Sequence, residues 1–468
     1  MSDTPSSSSP NPPHRDYPTA LQPPVTLGSP NDPIPLYSGL IDFTQNGKPF
    51  QAEAHIFLEW LPSPRIRFEI PAVPDEVYPE LGELSLRLND GTSIEHAFIS
   101  GSNQSNGLDG YKASLTGIIT QRVIRPKDHA ASYALFLLPN FEAPSGQAVA
   151  RPRNGWRAAR LVLAAGGWKI TLDNVENDKA VKESLDAGSG FAITQIGRLE
   201  RDDGKPFTAG DAIVILDALG WYVSFTCGRW TEPFLARGYD TDSKLVWEIW
   251  DTHRTVPYRK RLSWMDTCHR EHFEDPFPGF LKLWHDDTWK EVVRVAIHWY
   301  IEANAQAGSI EGAIVLTQTA FELLSSAVLV ENHGWLSTDG YEKLAAADRI
   351  RLLFLWAGIP TAIPPELDNL IKVAKADNWP DAPTAMTMIR NTITHPTRKN
   401  REKFSKHTTA ARIDAWSLGL WSLELCLLRL FGYRGTYGSR LKQRYSGEVV
   451  QVPWAIDQSS TRTTSSST

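Results

Sequence analysis

Apolar and polar residues alternate along the first half of the chain and recur with a helical period along the second. From about 34 to 235 the apolar runs are short and rich in β-branched and aromatic residues. "LYSGLIDF" and "FQAEAHIFLEW" flank "QNGKP", where an Asn-Gly pair predicts a hairpin. "RIRFEI", "LSLRL", "YKASLTGIITQRVI", "YALFLL" and "RLVLAAGGWKITL" continue the pattern, punctuated by Gly, Asn and Asp. Many short strands at regular spacing predict a sandwich-like, β-rich domain over 34–235. "TAGDAIVILDALG" predicts one helix inside it, capped by Thr208.

From about 284 the period becomes helical. "DDTWKEVVRVAIHWYIEANAQ" and "SIEGAIVLTQTAFELLSSAVLV" predict two long helices, and Ser337 is placed to cap a third through "YEKLAAADRIRLLFLWAG". After the prolines of "IPTAIPP" come "ELDNLIKVAKA", "DAPTAMTMIRNTITH" and the long "RIDAWSLGLWSLELCLLRLFG". The last is apolar almost all round in its second half, which predicts a central place in a bundle. The fold class expected is α+β, with an all-helical domain over 284–445. Residues 236–283, rich in Trp, Pro and charge, are expected to connect the halves. The Ser- and Pro-rich 1–33 and the stretch 446–468 are expected to be tails.

Composition changes this picture little. Apolar residues make up 41 % and charged residues 22 % of 468, as in a soluble globular chain. A net charge of −6 argues against a whole-chain nucleic-acid coat but leaves local patches open. Cys227, Cys268 and Cys426 are too few and too scattered for a disulfide framework, so a reducing cytoplasm is the expected compartment. The N-terminus has no apolar core of a signal peptide. "AIVLTQTAFELLSSAVLV" carries Gln318 and Glu322, so a buried helix is expected rather than a membrane span.

The chemistry concentrates in "MIRNTITHP", residues 388–396. Met386, Ile389 and Ile393 form one apolar stripe at i, i+3 and i+7. Asn391 and His395 stack at i, i+4 on another face. Arg390 lies about 140° from His395 on an ideal helix. Pro396 disfavours helical geometry at His395, so the helix should end there and free the histidine. The bare spacing of an arginine and a histidine is weak: Arg122 with His129 and Arg401 with His407 also match it. The whole string, on the penultimate helix of a helical domain, is far more specific.

On these residues the region 285–445 resembles the HEPN superfamily, whose signature is Arg, a polar residue that is often Asn, three more residues and then His. "LFGYRGTYGSRLKQRYSGEVVQVPW" is similar to the C-terminal ends of large prokaryotic HEPN proteins of abortive-infection type. The resemblance implies a helical bundle that forms a homodimer across the motif helix. In catalytic members it also implies a metal-independent endoribonuclease of toxin-like or phage-defence type. Other members bind RNA or dimerise without cutting. Arg390, Asn391 and His395 take the motif positions. The tyrosine found shortly after the histidine in members paired with a nucleotidyltransferase antitoxin is missing from "HPTRKN".

The residue types suit the reaction. RNA carries its own nucleophile, the 2′-OH, and cutting it needs a base, an acid and positive charge on the phosphorane. Histidine serves as base or acid near neutrality, arginine forks onto phosphate oxygens, and asparagine orients either partner. Arg398, Lys399, Arg401, Lys403 and Lys406 follow as a candidate RNA contact. Between 390 and 444 there are twelve basic residues against three acidic ones; a solvated loop would show the same excess. Glu322 is expected either to hold Arg390 across the bundle or to be a satisfied core carboxylate. "CHREH", with Cys268, His269 and His272, lacks a second ligand pair. No metal or cofactor is expected, and the β-rich half is read as a sensor or regulator of unknown ligand.

Overall fold

The computed structural model describes residues 17–74, 80–107, 110–126, 129–150, 155–252, 254–395, 397–443 and 445–455. Strands β1 (Ile34–Gln45), β2 (Lys48–Glu59), β3 (Arg65–Val73), β4 (Gly82–Leu88), β5 (Ser93–Gly107) and β6 (Gly110–Ile119) close into a barrel in the order β1-β2-β3-β6-β5-β4. The first hairpin turns at Asn46 (φ 52°) and Gly47 (φ 75°). Two successive positive φ values give a two-residue turn the twist its strands need. In β3, Ile66, Phe68 and Ile70 are at most 1 % exposed and alternate with partly exposed Arg65, Arg67 and Glu69. Phe43, Ile56, Phe68, Leu86, Ile94 and Leu115 fill the interior, so the barrel is packed and not a pore.

A second sheet has eight strands in the order β7-β14-β13-β8-β12-β11-β10-β9. These are β7 (Val123–Arg125), β8 (Tyr133–Pro139), β9 (Gln147–Ala150), β10 (Trp156–Ala165), β11 (Trp168–Asn174), β12 (Ile193–Arg201), β13 (Phe234–Tyr239) and β14 (Leu245–Trp250). Helix α1 (Asp178–Gly188) precedes β12, and α2 (Ala209–Cys227) follows it. Thr208 caps α2 through a reciprocal box with Asp211. The strands thus divide between a closed barrel and a broad sheet, where the alternation alone suggested a sandwich. Alternation fixes which residues face inward but not which strand closes on which.

The β-rich region runs to 250, so the segment 236–283 does more than connect: it supplies the last sheet hairpin. The N-terminal residues expected as tail also pack once they are past Asp16. The Leu21 amide donates to Asp173 Oδ2 (2.8 Å), Arg237 Nη1 to the Pro24 carbonyl (2.7 Å) and Trp60 Nε1 to the Asp32 carbonyl (2.9 Å). Side chains of the sheet and barrel satisfy this segment's backbone, which composition does not foretell. Residues 1–16 lie outside the described part.

The C-terminal region is all helical: α3 (Glu271–Glu274), α4 (Phe277–Trp284), α5 (Asp287–Asn304), α6 (Ser309–Ser326), α7 (Thr338–Glu342), α8 (Ala346–Ala357), α9 (Asp368–Ala376), α10 (Ala382–Thr394), α11 (Arg398–Lys406) and α12 (Thr409–Leu430). A π-helical turn, Ala327–Asn332, extends α6. Ser337 caps as expected, by accepting from the Gly340 amide at 3.1 Å, but the helix it starts stops after five residues. Helix α6 packs on α5, α8, α10 and α12, and α12 is buried at every position from Leu418 to Leu428. The stretch after 445 is likewise not all tail. β15 (Thr436–Tyr437) pairs with β16 (Val450–Gln451), and Trp454 Nε1 donates to the Tyr433 carbonyl at 2.7 Å. Residues 456–468 lie outside the described part. Both α2 and the α6 run are long and apolar enough to cross a membrane, and both are mostly buried within the fold.

One apolar cluster runs without a break from one face of the large sheet through α2 and α4 into the bundle. The opposite face belongs to the barrel's cluster. On β8, Phe136 and Leu138 join the first cluster and Leu137, between them, joins the second. The sheet is therefore a shared middle layer.

Candidate functional site

Helix α10 starts at Asp381, whose Oδ1 accepts from the Thr384 amide (3.0 Å) and hydroxyl (2.6 Å). Such a cap is worth about 1 kcal/mol. Arg351 on α8 donates to the same carboxylate at 2.6 Å, which fixes the start of α10 against its neighbour. Burial alone raises the Asp381 carboxyl; the Arg351 and Thr384 hydrogen bonds outweigh it and hold the group below its usual value. Met386 and Ile389 are buried and Ile393 packs beside them, so the core register is the one the sequence implies.

The helix ends after Thr394. His395 takes φ −107° and ψ 94°, an extended conformation, while its amide still donates to the Asn391 carbonyl at 3.1 Å. Pro396, the residue expected to enforce this, lies outside the described part. The His395 carbonyl accepts from the Thr397 amide (2.8 Å) and from Asn400 Nδ2 (3.0 Å). The backbone is thus clamped while the ring is exposed. Among the described residues nothing bonds to that ring. Asn400, which the sequence reading did not single out, is the side chain that holds the His395 backbone. Thr397, three residues before it, is an N-cap signal that places it.

Arg390 is half-buried. Its Nη1 donates to Asn391 Oδ1 at 3.3 Å, and its Nε is buried without a hydrogen-bond partner. Among the described residues it makes no ion pair. The fold thus brings Arg390 and Asn391 into side-chain contact and leaves the His395 ring on the same helix end without a bond to either side chain among the described residues. Glu322 on α6 does not hold Arg390. Its Oε1 accepts from Gln318 Nε2 at 3.2 Å, and no ion pair to Arg390 exists among the described residues. The two helices pack, but this carboxylate is satisfied within its own helix, one turn away.

The basic residues form a helix, α11, with no buried position. Arg398 pairs with Glu402 at 3.0 Å, both well exposed, and Lys403 lies 4.0 Å from Asp377. Arg401 is exposed, and Lys399 and Lys406 stand at the surface without an ion pair among the described residues.

Residues 286–451 match the YopA C-terminal domain. Residues 126–261 match the YopA central domain. The chain is 25 % identical over 432 residues to the SPbeta prophage-derived uncharacterized protein YopA of Bacillus subtilis (strain 168), spanning 91 % of this chain and 95 % of that one. No solved structure gives a significant match. The YopA C-terminal match takes in α10, α11 and the whole motif, whereas the YopA central match covers most of the large sheet. The barrel lies outside both.

The competing clusters are occupied structurally. His407 is 5 % exposed, with Nε2 3.4 Å from Asp377 and its ring edge-on to Trp379. Arg122 pairs with Asp251 and Asp217 across the sheet's edge. In "CHREH", His272 accepts from the Asp266 amide (3.1 Å) and bonds Thr436 Oγ1 (3.0 Å). His269 bonds Glu271 (2.8 Å) and the Gly447 carbonyl (3.2 Å), which together raise its pKa. The three residues tie the strand pair after α12 to the segment before α3.

Proposed function

We propose that the helical region is a metal-independent endoribonuclease of HEPN type, with Arg390, Asn391 and His395 as its reactive set and α11 as its RNA contact. The observation that carries this reading is Arg390: a half-buried guanidinium with no carboxylate paired to it among the described residues, one turn before an exposed histidine and followed by a basic helix. A permanent charge held this way is suited to a phosphate.

In this reaction a base takes the proton of the 2′-OH, and O2′ bonds to phosphorus. The P–O5′ bond breaks, and an acid returns a proton to O5′. The products are a 2′,3′-cyclic phosphate and a 5′-OH. Arg390 balances the phosphorane charge, with Asn391 bonded to it and holding its fork. One histidine cannot be base and acid at once, so the complete site takes His395 from each of two chains. Thr384, Met388, Asn391 and His395 recur at i, i+4, i+7 and i+11 and are only partly covered in the single chain. That seven-residue recurrence suits a helix pairing with its own copy. The β-rich half acts as sensor or regulator, and the prophage origin of the relative fits a toxin-like or phage-defence setting.

A second reading, a HEPN module that dimerises or binds RNA without cutting, draws on the lack of any bond between His395 and Arg390 within one chain. Incubating the protein with labelled RNA, with and without EDTA and beside His395→Ala, separates the two. Cleavage that survives EDTA and leaves cyclic phosphate supports the nuclease. Strict dependence on added Mg²⁺ or Mn²⁺ overturns this mechanism, and RNA retention without cleavage favours the binder.

A further inference from the structure

A cleft of about 240 Å³ opens where the large sheet meets the helical region. Arg229, Lys260 and Arg261 line it together with Tyr445 and Ser446. Arg229 follows Gly228, which caps α2 in the left-handed region (φ 65°). A Cβ at Gly228 would lie 2.5 Å from Asn304 Nδ2, so only glycine lets the chain pass here. Arg229 is 6 % exposed; its Nη2 bonds the Asn140 carbonyl, its guanidinium lies 5.0 Å from the Tyr258 ring centre, and its Nη1 has no partner. Neither Lys260 nor Arg261 makes an ion pair among the described residues. Burial lowers the Arg261 guanidinium, and the Arg259 and Arg229 charges lower it further.

Two carboxylates share the cleft, and both are engaged. Asp266 accepts from the amides of Cys268 (2.8 Å) and Gly447 (3.2 Å). Glu142 pairs with Lys182 on α1. With Glu142 paired to Lys182, three cations and one carboxylate remain in the lining, a positive excess that favours an anion. Tyr445, 86 % exposed, offers an open aromatic face on the rim. The floor is rigid. The Leu262 carbonyl accepts from Asn304 Nδ2 (3.1 Å) and Arg440 Nη2 (3.2 Å), and Arg440 is paired with fully buried Glu424.

We propose that this cleft binds the phosphates of a small nucleotide, with Arg229, Lys260 and Arg261 on the phosphate oxygens and Tyr445 stacked on the base. The volume holds a diphosphate and leaves the base outside, where Tyr445 stands. Forked guanidinium contacts suit phosphate geometry, and an aromatic face accepts any base. The site joins residues of the YopA central match to residues of the YopA C-terminal match. Its occupant is thus a ligand for the β-rich half that also touches the region carrying the RNA site.

Titration calorimetry on the full chain tests this with pyrophosphate, ADP, GDP, adenosine and guanosine. Pyrophosphate should bind saturably, at least one nucleoside diphosphate should bind about tenfold more tightly, and the nucleosides alone should not bind. Lys260→Gln with Arg261→Gln, both on the surface side, should weaken every phosphate probe by about tenfold or more at unchanged melting temperature. Tyr445→Ala should weaken the tight diphosphate and spare pyrophosphate. Absence of saturable pyrophosphate binding at millimolar concentration, or equal affinity in the Lys260/Arg261 variant, overturns the proposal. Equal affinity for pyrophosphate and both diphosphates removes the nucleoside. Binding should be unchanged in Arg390→Ala/His395→Ala, so this site and the RNA site fail separately.

Discussion

Helices α10 and α11 both end on a histidine with extended backbone, and both histidines follow an arginine by five or six residues. Their environments differ in every other respect. His407 is enclosed by Trp379 and Asp377, and burial lowers its pKa despite the carboxylate. His395 is exposed, with its carbonyl clamped by Asn400 and its ring free of partners among the described residues. Arg401 stands at the surface of α11, whereas Arg390 is half-buried with an unpartnered Nε. The spacing in sequence is nearly the same. What separates the two is enclosure: the His407 ring is buried with its Nε2 on Asp377, whereas the His395 ring stands open to solvent.

The largest effect should come from the α10 pair. Arg390→Ala and His395→Ala should each lower RNA cleavage by about 10²–10⁴-fold, with melting temperature unchanged. Cleavage at the wild-type rate in both would make the two helix ends equivalent after all.

The shared site predicts the next effect. In a purified mixed dimer of wild-type and His395→Ala chains, cleavage should be nearly as low as in the double mutant. A mixed dimer with half the wild-type rate would show each chain working alone.

His407→Ala should behave in the opposite way. Losing a buried ring and its bond to Asp377 should lower unfolding free energy by about 1–3 kcal/mol in urea titrations. Cleavage below the melting temperature should stay within about twofold, since no step of the reaction is assigned to this residue. Loss of cleavage with stability intact would transfer the site to α11.

The smallest effect is in pH. The folded pKa of His407 lies below the ordinary 6.5, so the unfolded chain binds the extra proton first. Its contribution is present above 6.5 and is lost as pH falls through the lower folded value. Urea midpoints of wild type should therefore drop more between neutral and mildly acidic pH than those of His407→Asn. Parallel curves would mean the socket does not discriminate against the charged ring.

How much of this could be read from the sequence follows the range of each interaction. Asn46-Gly47, the Thr208 cap and the Met386/Ile389/Ile393 stripe act within a turn or two, and the structure places them as the string implies. The barrel's closure, the packing of residues 17–33 along the sheet and the hairpin supplied by 234–250 depend on partners far along the chain, which periodicity does not encode. The site shows the same division. The helix end and its free histidine were legible, because a proline and a helical period are local signals. For Glu322 the string left two roles open, and only the structure shows the carboxylate accepting from Gln318 on its own helix. The helical state of 398–406 was not legible either, because a run of charges has no apolar stripe to reveal it.

Phe136, Leu137 and Leu138 are consecutive residues on β8, yet they belong to different cores. The boundary between the cooperative units of this protein is therefore not a position in the chain but the plane of a sheet. Truncating Leu137 should loosen the barrel first, and truncating Phe136 should loosen the bundle first. Excising 284–468 would strip α5 from α2 and α4, so a fragment cut there would expose apolar surface rather than release an intact unit. A rearrangement on either side of the sheet must displace a strand that the other side also leans on.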